Sequence, residues 1–205
     1  MFDVNQKPIE FIAAASGEGS SHCSFLTEDQ VRSITFYKRS LDNRSQREKR
    51  SPLLMGCHNP THSPLHPQAW LPFFSWPTSL IDPNTVVPNR LLEAHQLCDP
   101  PLAFVAPVFG SSFYFKDRTG ALRLKEPSWF LSERVLRIVP DEERGTLSTR
   151  FVAGIRLSQV IERFHFVGLV HADLSSKSFL LDLKASSVCL IFDESRPLRN
   201  GVEGL

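Results

Sequence analysis

GLVHADLSSKSFLLDL, residues 168–183, is the stretch on which the reading of the fold turns. The apolar run Gly168-Leu169-Val170 delivers His171 and Asp173 to a strand end. The polar loop Ser175-Ser176-Lys177-Ser178 turns the chain, and Phe179-Leu180-Leu181 resumes an apolar run. A carboxylate held on a tight loop between two buried strands is well placed to act as a base, because packing on both sides fixes its position. The same Asp serves equally as an ordinary turn residue that gathers backbone amides. What flanks the loop decides between these.

Immediately upstream, STRFVAGIRLSQVIERFHFVG carries apolar residues at 152, 155, 160, 161, 164 and 167. That spacing predicts one helix over 148–167, with Ser148 or Thr149 as its cap and Gly168 as its stop. Downstream, FLLDL and VCLIF are short apolar runs separated by KASS. They predict strands near 179–182 and 188–192, paired antiparallel, with another short strand near 169–171.

At the other end of the chain, IEFIAAASGEGSSHCSFL reads as strand, Gly-containing turn and strand, and VRSITFYK (31–38) as a third strand. Residues 39–52, RSLDNRSQREKRSP, are polar and basic without apolar periodicity; they read as an exposed loop or frayed helix, with nuclear targeting the minor alternative. Proline is dense over 52–101, where only NRLLEAHQL (89–97) suits a short helix, capped by Asn89. LAFVAPVFG, SSFYF and ALRL read as strands, with RTG as the best turn signal between the last two. The pattern as a whole is α+β and carries no internal repeat.

Composition narrows the function classes. The chain has 205 residues, 41% hydrophobic and 22% charged, with 15 prolines and 16 phenylalanines against two tyrosines. A formal net charge of +1 gives no field suited to nucleic acid or an anionic membrane. No apolar run approaches the roughly 18 residues of a membrane span. MFDVNQKPIEF lacks the basic and apolar regions of a signal peptide, so the compartment stays open. Cys23, Cys57, Cys98 and Cys189 permit two disulfides, but Cys189 within VCLIF reads as a buried free thiol. Cys57, His58, His62 and His66 in CHNPTHSPLH are soft ligands, yet Pro60 and Pro64 forbid the helix that would align them, and the segment reads as an exposed proline-rich loop. WLPFFSWP (70–77) is either a docking patch or, in the favoured reading, packing for the strand domain.

Over residues 148–201 the sequence resembles the catalytic-loop region of protein kinases, and most closely the rhoptry kinase and pseudokinase family of apicomplexan parasites, with its GLVH entry and degenerate loop; the corresponding tail here is FDESRPLRNG. The kinase loop reads His-Arg-Asp-Leu-Lys-x-x-Asn. This chain keeps His171, Asp173 and Leu174 and carries Ala172, Ser175 and Ser178 in place of Arg, Lys and Asn. The resemblance implies Asp173 as the catalytic base and Ser178 as a poorer metal ligand. The metal position falls on Asp193, or on Phe192 if the register is one residue shorter, in which case the main magnesium ligand is gone. GEGSSHCSF (17–25) resembles a Gly-rich phosphate-covering loop with Gly17 and Gly19 kept and His22 for the third glycine. Lys38 follows at about the spacing of the third-strand lysine that contacts nucleotide. Phe36 then stands where a small residue floors the adenine site, and Glu48 is a poor candidate for the helical partner of Lys38.

What the resemblance implies is a kinase-like fold: an antiparallel-sheet N-lobe over 1–130 with an irregular proline-rich insertion at 50–101, then the start of a C-lobe over 131–205. That second part holds the long helix 148–167 and the catalytic-loop region 168–201, with the remainder of the lobe absent. A domain cut off there is expected to aggregate or stay loosely packed when expressed alone. The expected role is that of a pseudokinase binding a protein partner, either another kinase or a host protein, with ATP and magnesium bound weakly or not at all. An active atypical Ser/Thr kinase using Asp173 is the first alternative, and a non-kinase α+β interaction module the second. The family also implies secretion from rhoptries.

Overall fold

The computed structural model describes residues 1–40, 44, 45, 48, 51, 55–63, 65, 69–170 and 174–191. In chain order its elements are β1 (Phe11–Glu18), β2 (His22–Thr27), β3 (Arg32–Tyr37), β4 (Phe74–Ser75), β5 (Ser79–Leu80), α1 (Asn89–Ala94) and β6 (Ala103–Pro107). There follow β7 (Tyr114–Lys116), β8 (Leu122–Leu124), α2 (Ser128–Leu131), α3 (Glu133–Leu136), α4 (Leu147–Phe166), β9 (Phe179–Asp182) and β10 (Ser187–Ile191). The chain forms two compact units, Met1–Asn59 with Trp76–Val108, and Pro60–Ser75 with Phe109 onward. The α+β reading holds, with an antiparallel sheet in the first unit and few helices.

The first unit is a five-stranded sheet in the order β1-β2-β3-β6-β5, antiparallel at every pairing. Its hydrophobic face follows from strict alternation: Cys23 and Phe25 on β2, Ile34 and Phe36 on β3, are all but completely buried. They pack with Leu91 and Leu92 of α1, and with Ile9, Ile81, Val87 and Leu97. Phe25 and Phe36 meet edge to face at 5.7 Å, the favoured geometry for two quadrupoles. Phe36 is therefore a core residue at 1% exposure. β1 lies at the sheet edge, exposed over most of its length, and its register slips between Phe11 and Ala15 and again before Gly17. The cap expected at Asn89 is displaced: Pro88 takes the cap position and Asn89 begins the helix without a side-chain cap. Burial of Leu91 and Leu92 holds so short a helix, since six residues are too few for propensity alone.

In the second unit, β7 and β8 form the hairpin that RTG announced. Asp117 is buried and organises the turn: its Oδ1 accepts from the Thr119 and Ala121 amides at 2.8 and 3.0 Å, and its Oδ2 from Arg123 Nε at 3.0 Å. Gly120 supplies the left-handed residue at φ +86°. α4 spans the predicted helix, but its cap is Thr146, in a reciprocal capping box with Thr149. At its far end Gly168 (φ +80°) donates to His165 O and Leu169 donates to Phe164 O, a Schellman termination. That termination uses the Leu169 amide, and residues 169–170 are not strand as the sequence suggested. Ala153, Val160 and Phe164 face inward, whereas Leu147, Phe151 and Ile155 stay exposed on α4. Beneath α4 lie Phe115, Phe130, Val139, Leu183 and Val188.

β9 and β10 pair antiparallel as expected, Ser187 opposite Asp182 through Leu190 opposite Phe179. β4 adds to β10 in parallel, with Phe74 opposite Leu190. The aromatic segment 70–77 is thus divided: Phe74 belongs to the second unit, whereas Trp76 is buried in the first. All four cysteines are free, and Cys189 is the buried thiol the sequence suggested, its pKa pushed up to about 12 by desolvation.

Candidate functional site

The Gly17-Glu18-Gly19 segment ends β1 and turns into β2, with the Gly19 amide donating to His22 O at 2.9 Å. A Cβ on Gly17 would meet nothing within 4 Å, and one on Gly19 would lie 3.3 Å from the His22 ring. Gly17 thus has open space around it. Glu18 stands directly opposite Cys23, and Cys23 opposite Phe36, so the three form one row across β1, β2 and β3.

Lys38 follows β3, two residues beyond Phe36, and its side chain runs over this row. Its amine lies 2.6 Å from Glu18 Oε1, and the side chain is 13% exposed. Glu18 Oε2 lies 3.4 Å from His95 Nδ1, on the residue that closes α1. The Lys38 hydrogen bond is the main cause that holds the Glu18 carboxyl below its usual range, so it is an anion at neutral pH. Glu48 is not the partner of Lys38: it pairs with Arg44 at 2.7 Å, one helical turn away. The partner of Lys38 is the strand residue Glu18, not a helical glutamate. The strand register contains the missing signal, because pairing the three strands carries Glu18 across to the β3 row.

In the second unit, Asp173 with His171 and Ala172, and Asp193 with the rest of 192–205, lie outside the described residues. Ser178 is described, and it is 1% exposed. Its Oγ accepts from the Ser175 amide at 3.0 Å while its own amide donates to Ser175 O at 3.0 Å. The Ile191 amide donates to Ser178 O at 2.8 Å, tying the loop to β10. The hydroxyl is engaged within its own turn. The hairpin that follows rests on a buried cation: Lys125 Nζ lies 2.6 Å from Glu143 Oε2 and 3.3 Å from Asp182 Oδ1, with Lys125 and Asp182 nearly inaccessible. The Leu181 amide donates to Lys125 O, so backbone and side chain of one residue both hold β9.

Within the expected loop, Pro60 and His62 are held through their carbonyls, and His66 lies outside the described residues. Arg163 of α4 donates to Pro60 O at 2.9 Å and to His62 O, and its guanidinium lies 5.6 Å from the Trp70 ring centre. Cys57, His58 and His62 do not converge; among the described residues the only group of potential metal ligands is Glu18, Cys23 and His95. Among those residues, no helix is long and apolar enough to cross a membrane.

No family model matches the chain, and no curated protein matches it. The solved structure of vaccinia related kinase 3 aligns with 93% of this chain at 14% sequence identity and a TM-score of 0.49. The chain spans about half, 48%, of the length of that one.

Proposed function

We propose that the chain is a protein kinase-like module, of the rhoptry pseudokinase type, that acts by binding a protein partner and has lost phosphoryl transfer. Two features support the kinase-like part. Residues 11–37 build three consecutive antiparallel strands with the glycine-bearing hairpin between the first two and Lys38 after the third. Residues 147–191 run helix, loop and antiparallel hairpin in the order that the catalytic-loop segment requires.

One observation carries the loss of activity. The amine of Lys38 is clasped at 2.6 Å by Glu18, which lies inside the very loop that would cover the phosphates. A triphosphate brought there meets a carboxylate before it meets a cation. Phosphoryl transfer relies almost wholly on positioned charge, and the loop adds no compensation, with Ala172 and Ser175 where a kinase has Arg and Lys. On this reading ATP contacts Gly17, Gly19 and Lys38 weakly, Ser178 and Asp193 hold magnesium poorly, and Asp173 is inherited scaffolding. The binding role is supported by α4, whose exposed Leu147, Phe151 and Ile155 recur at one-turn spacing as an apolar stripe for a partner, either a second kinase or a host protein.

The test is a thermal shift with ATP, with and without magnesium or manganese, beside a radiolabelled transfer assay on a generic basic protein. The expected outcome is no transfer and a small ATP shift that Glu18→Gln enlarges and Lys38→Met removes. Transfer abolished by Asp173→Ala would overturn the proposal in favour of an active Ser/Thr kinase. An ATP response indifferent to Glu18 and Lys38 would instead favour a non-kinase interaction module.

A further inference from the structure

We propose that Glu18, Cys23 and His95 form a binding site for one zinc ion. The three residues come from three elements: the end of β1, the start of β2 and the residue that closes α1. One ligand atom of each lies within 4.8 Å of the others. Sequence proximity does not explain this convergence, since His95 is distant in the chain from the other two.

The positions are held by packing. Glu18 and Cys23 are cross-strand partners in register. His95 donates its amide to Leu91 O at 3.2 Å and sets its ring edge-on to Phe25 at 5.3 Å, and Phe25 is two residues from Cys23 on the same inward face. His95 Nδ1 is buried and makes no well-formed hydrogen bond, although Glu18 Oε2 is 3.4 Å away. A ring nitrogen and a carboxylate oxygen at that separation suit a metal ion that both ligate. With Zn–N and Zn–O bonds of about 2.0–2.1 Å, a tetrahedral edge is about 3.3–3.4 Å, which is already the separation of that pair. With a Zn–S bond of about 2.3 Å the edges to sulfur are about 3.6 Å, so Sγ and its partners must close by on the order of 1 Å. Glu18 supplies that movement, being half-exposed on a long side chain. Lys38 engages Oε1 and leaves Oε2 for the metal.

A thiolate with an imidazole selects a borderline-soft ion over magnesium or calcium, which take oxygen ligands. Three protein ligands leave a fourth position for water or a group from a partner. Binding deprotonates the Cys23 thiol and releases that proton, so zinc affinity falls as pH falls. Bound zinc would pin the Gly17–Gly19 hairpin to the end of α1.

The experiment uses the full chain without an affinity tag, titrated with zinc against a chromophoric chelator, and with cobalt as a spectroscopic stand-in. The expected result is one zinc per chain and a sulfur-to-cobalt charge-transfer band. Cys23→Ser removes the band, and His95→Ala and Glu18→Ala each weaken zinc by more than about 100-fold, beyond the effect of losing an outer-shell partner. Cys57→Ser, His58→Ala and His62→Ala leave both readouts unchanged. No saturable binding at equimolar zinc overturns the proposal, as does a band that survives Cys23→Ser or vanishes with Cys57→Ser. Should Cys23→Ser lose its cooperative melt, the zinc affinity of His95→Ala decides alone: affinity equal to the parent chain refutes the site.

Discussion

Gly145, just ahead of α4, is a position where one methyl group should be costly. It sits at φ +63°, and a Cβ there would come within 2.7 Å of Leu183 Cβ, 2.7 Å of Thr149 Oγ1 and 3.1 Å of Leu183 O. Two of those neighbours lie on or next to the backbone after β9, so no flexible side-chain tip can swing aside. The third is half of the capping box that starts α4. A left-handed conformation costs an L-residue about 1–2 kcal/mol, and disrupting the cap costs about 1 kcal/mol. Gly145→Ala should therefore destabilise the second unit by about 2–3 kcal/mol before any overpacking strain. At roughly 2–4 °C per kcal/mol for a chain of this size, the melting temperature should fall by roughly 4–12 °C. Two other glycines calibrate the number. Gly120→Ala keeps the backbone penalty (φ +86°) but meets nothing within 4 Å, so it should cost about 1–2 kcal/mol. Gly154→Ala lies within α4 in open space and should stabilise by about 0.5–1 kcal/mol. Denaturant unfolding followed by far-UV circular dichroism and tryptophan fluorescence reads all three. Gly145→Ala within about 0.5 kcal/mol of the parent chain, the range of an uneventful surface change, would refute the close approach of α4 to Leu183.

Lys125→Met should leave Asp182 and Glu143 without their shared cation and cost about 3–5 kcal/mol in the same unfolding experiment, far more than an exposed ion pair would. Asp117, with its pKa lowered to about 2 chiefly by the Thr119 hydroxyl, contributes stability that is present above its ordinary value of 3.8 and is lost as pH falls towards 2. Asp117→Asn should be less stable at neutral pH, with a flatter stability profile over that acid window; an unchanged profile would contradict the turn geometry. Brief alkylation of the native chain should mark Cys57, the exposed cysteine, ahead of Cys23, Cys98 and Cys189. Cys189 should be last of all, because desolvation holds its thiol protonated. Mass spectrometry showing Cys189 modified at a rate comparable to Cys57 would contradict its burial.

Where periodicity is strong, the sequence was legible. The apolar run after the glycine turn and the β-branched, aromatic run VRSITFYK placed β2 and β3, and the apolar spacing of 152–164 placed α4. The cap of α4 was misplaced because apolar periodicity begins at Val152, whereas the cap is the polar Thr146 and the first helical residue, Leu147, is exposed. Leu169-Val170 looked like a strand because it is apolar, yet the amide of Leu169 is already spent on the helix end. β4 was illegible in principle: two residues in a proline-rich segment pair in parallel with a strand far along the chain, and no local pattern encodes that partner. Lys38 was singled out by its spacing, whereas its ion-pair partner Glu18 was not. Its partner depends on the register of two hairpins, which the bulged edge strand β1 leaves weakly specified.

The two segments that the sequence singled out share one physical habit. A serine hydroxyl taken out of water must find a partner, because an unsatisfied buried polar group costs about 1–3 kcal/mol, and a half-buried lysine amine gains from one. In a nucleotide-binding lobe the phosphates and metal supply those partners. Here the chain supplies its own: Glu18 for Lys38, and the Ser175 amide for the Ser178 hydroxyl. The two differ in reversibility. Ser178 is 1% exposed within a closed turn, so recruiting its oxygen to a metal means opening that turn. Glu18 is half-exposed and can leave Lys38 with little else disturbed. On the proposed reading, nucleotide binding is thus the more recoverable of the two functions, and metal-assisted transfer the less recoverable. A variant with Glu18→Gln should gain ATP affinity before any variant confined to the loop 174–178 gains transfer. Restoring transfer by changes in that loop alone, with Glu18 intact, would show that the clasp on Lys38 is not what silences the site.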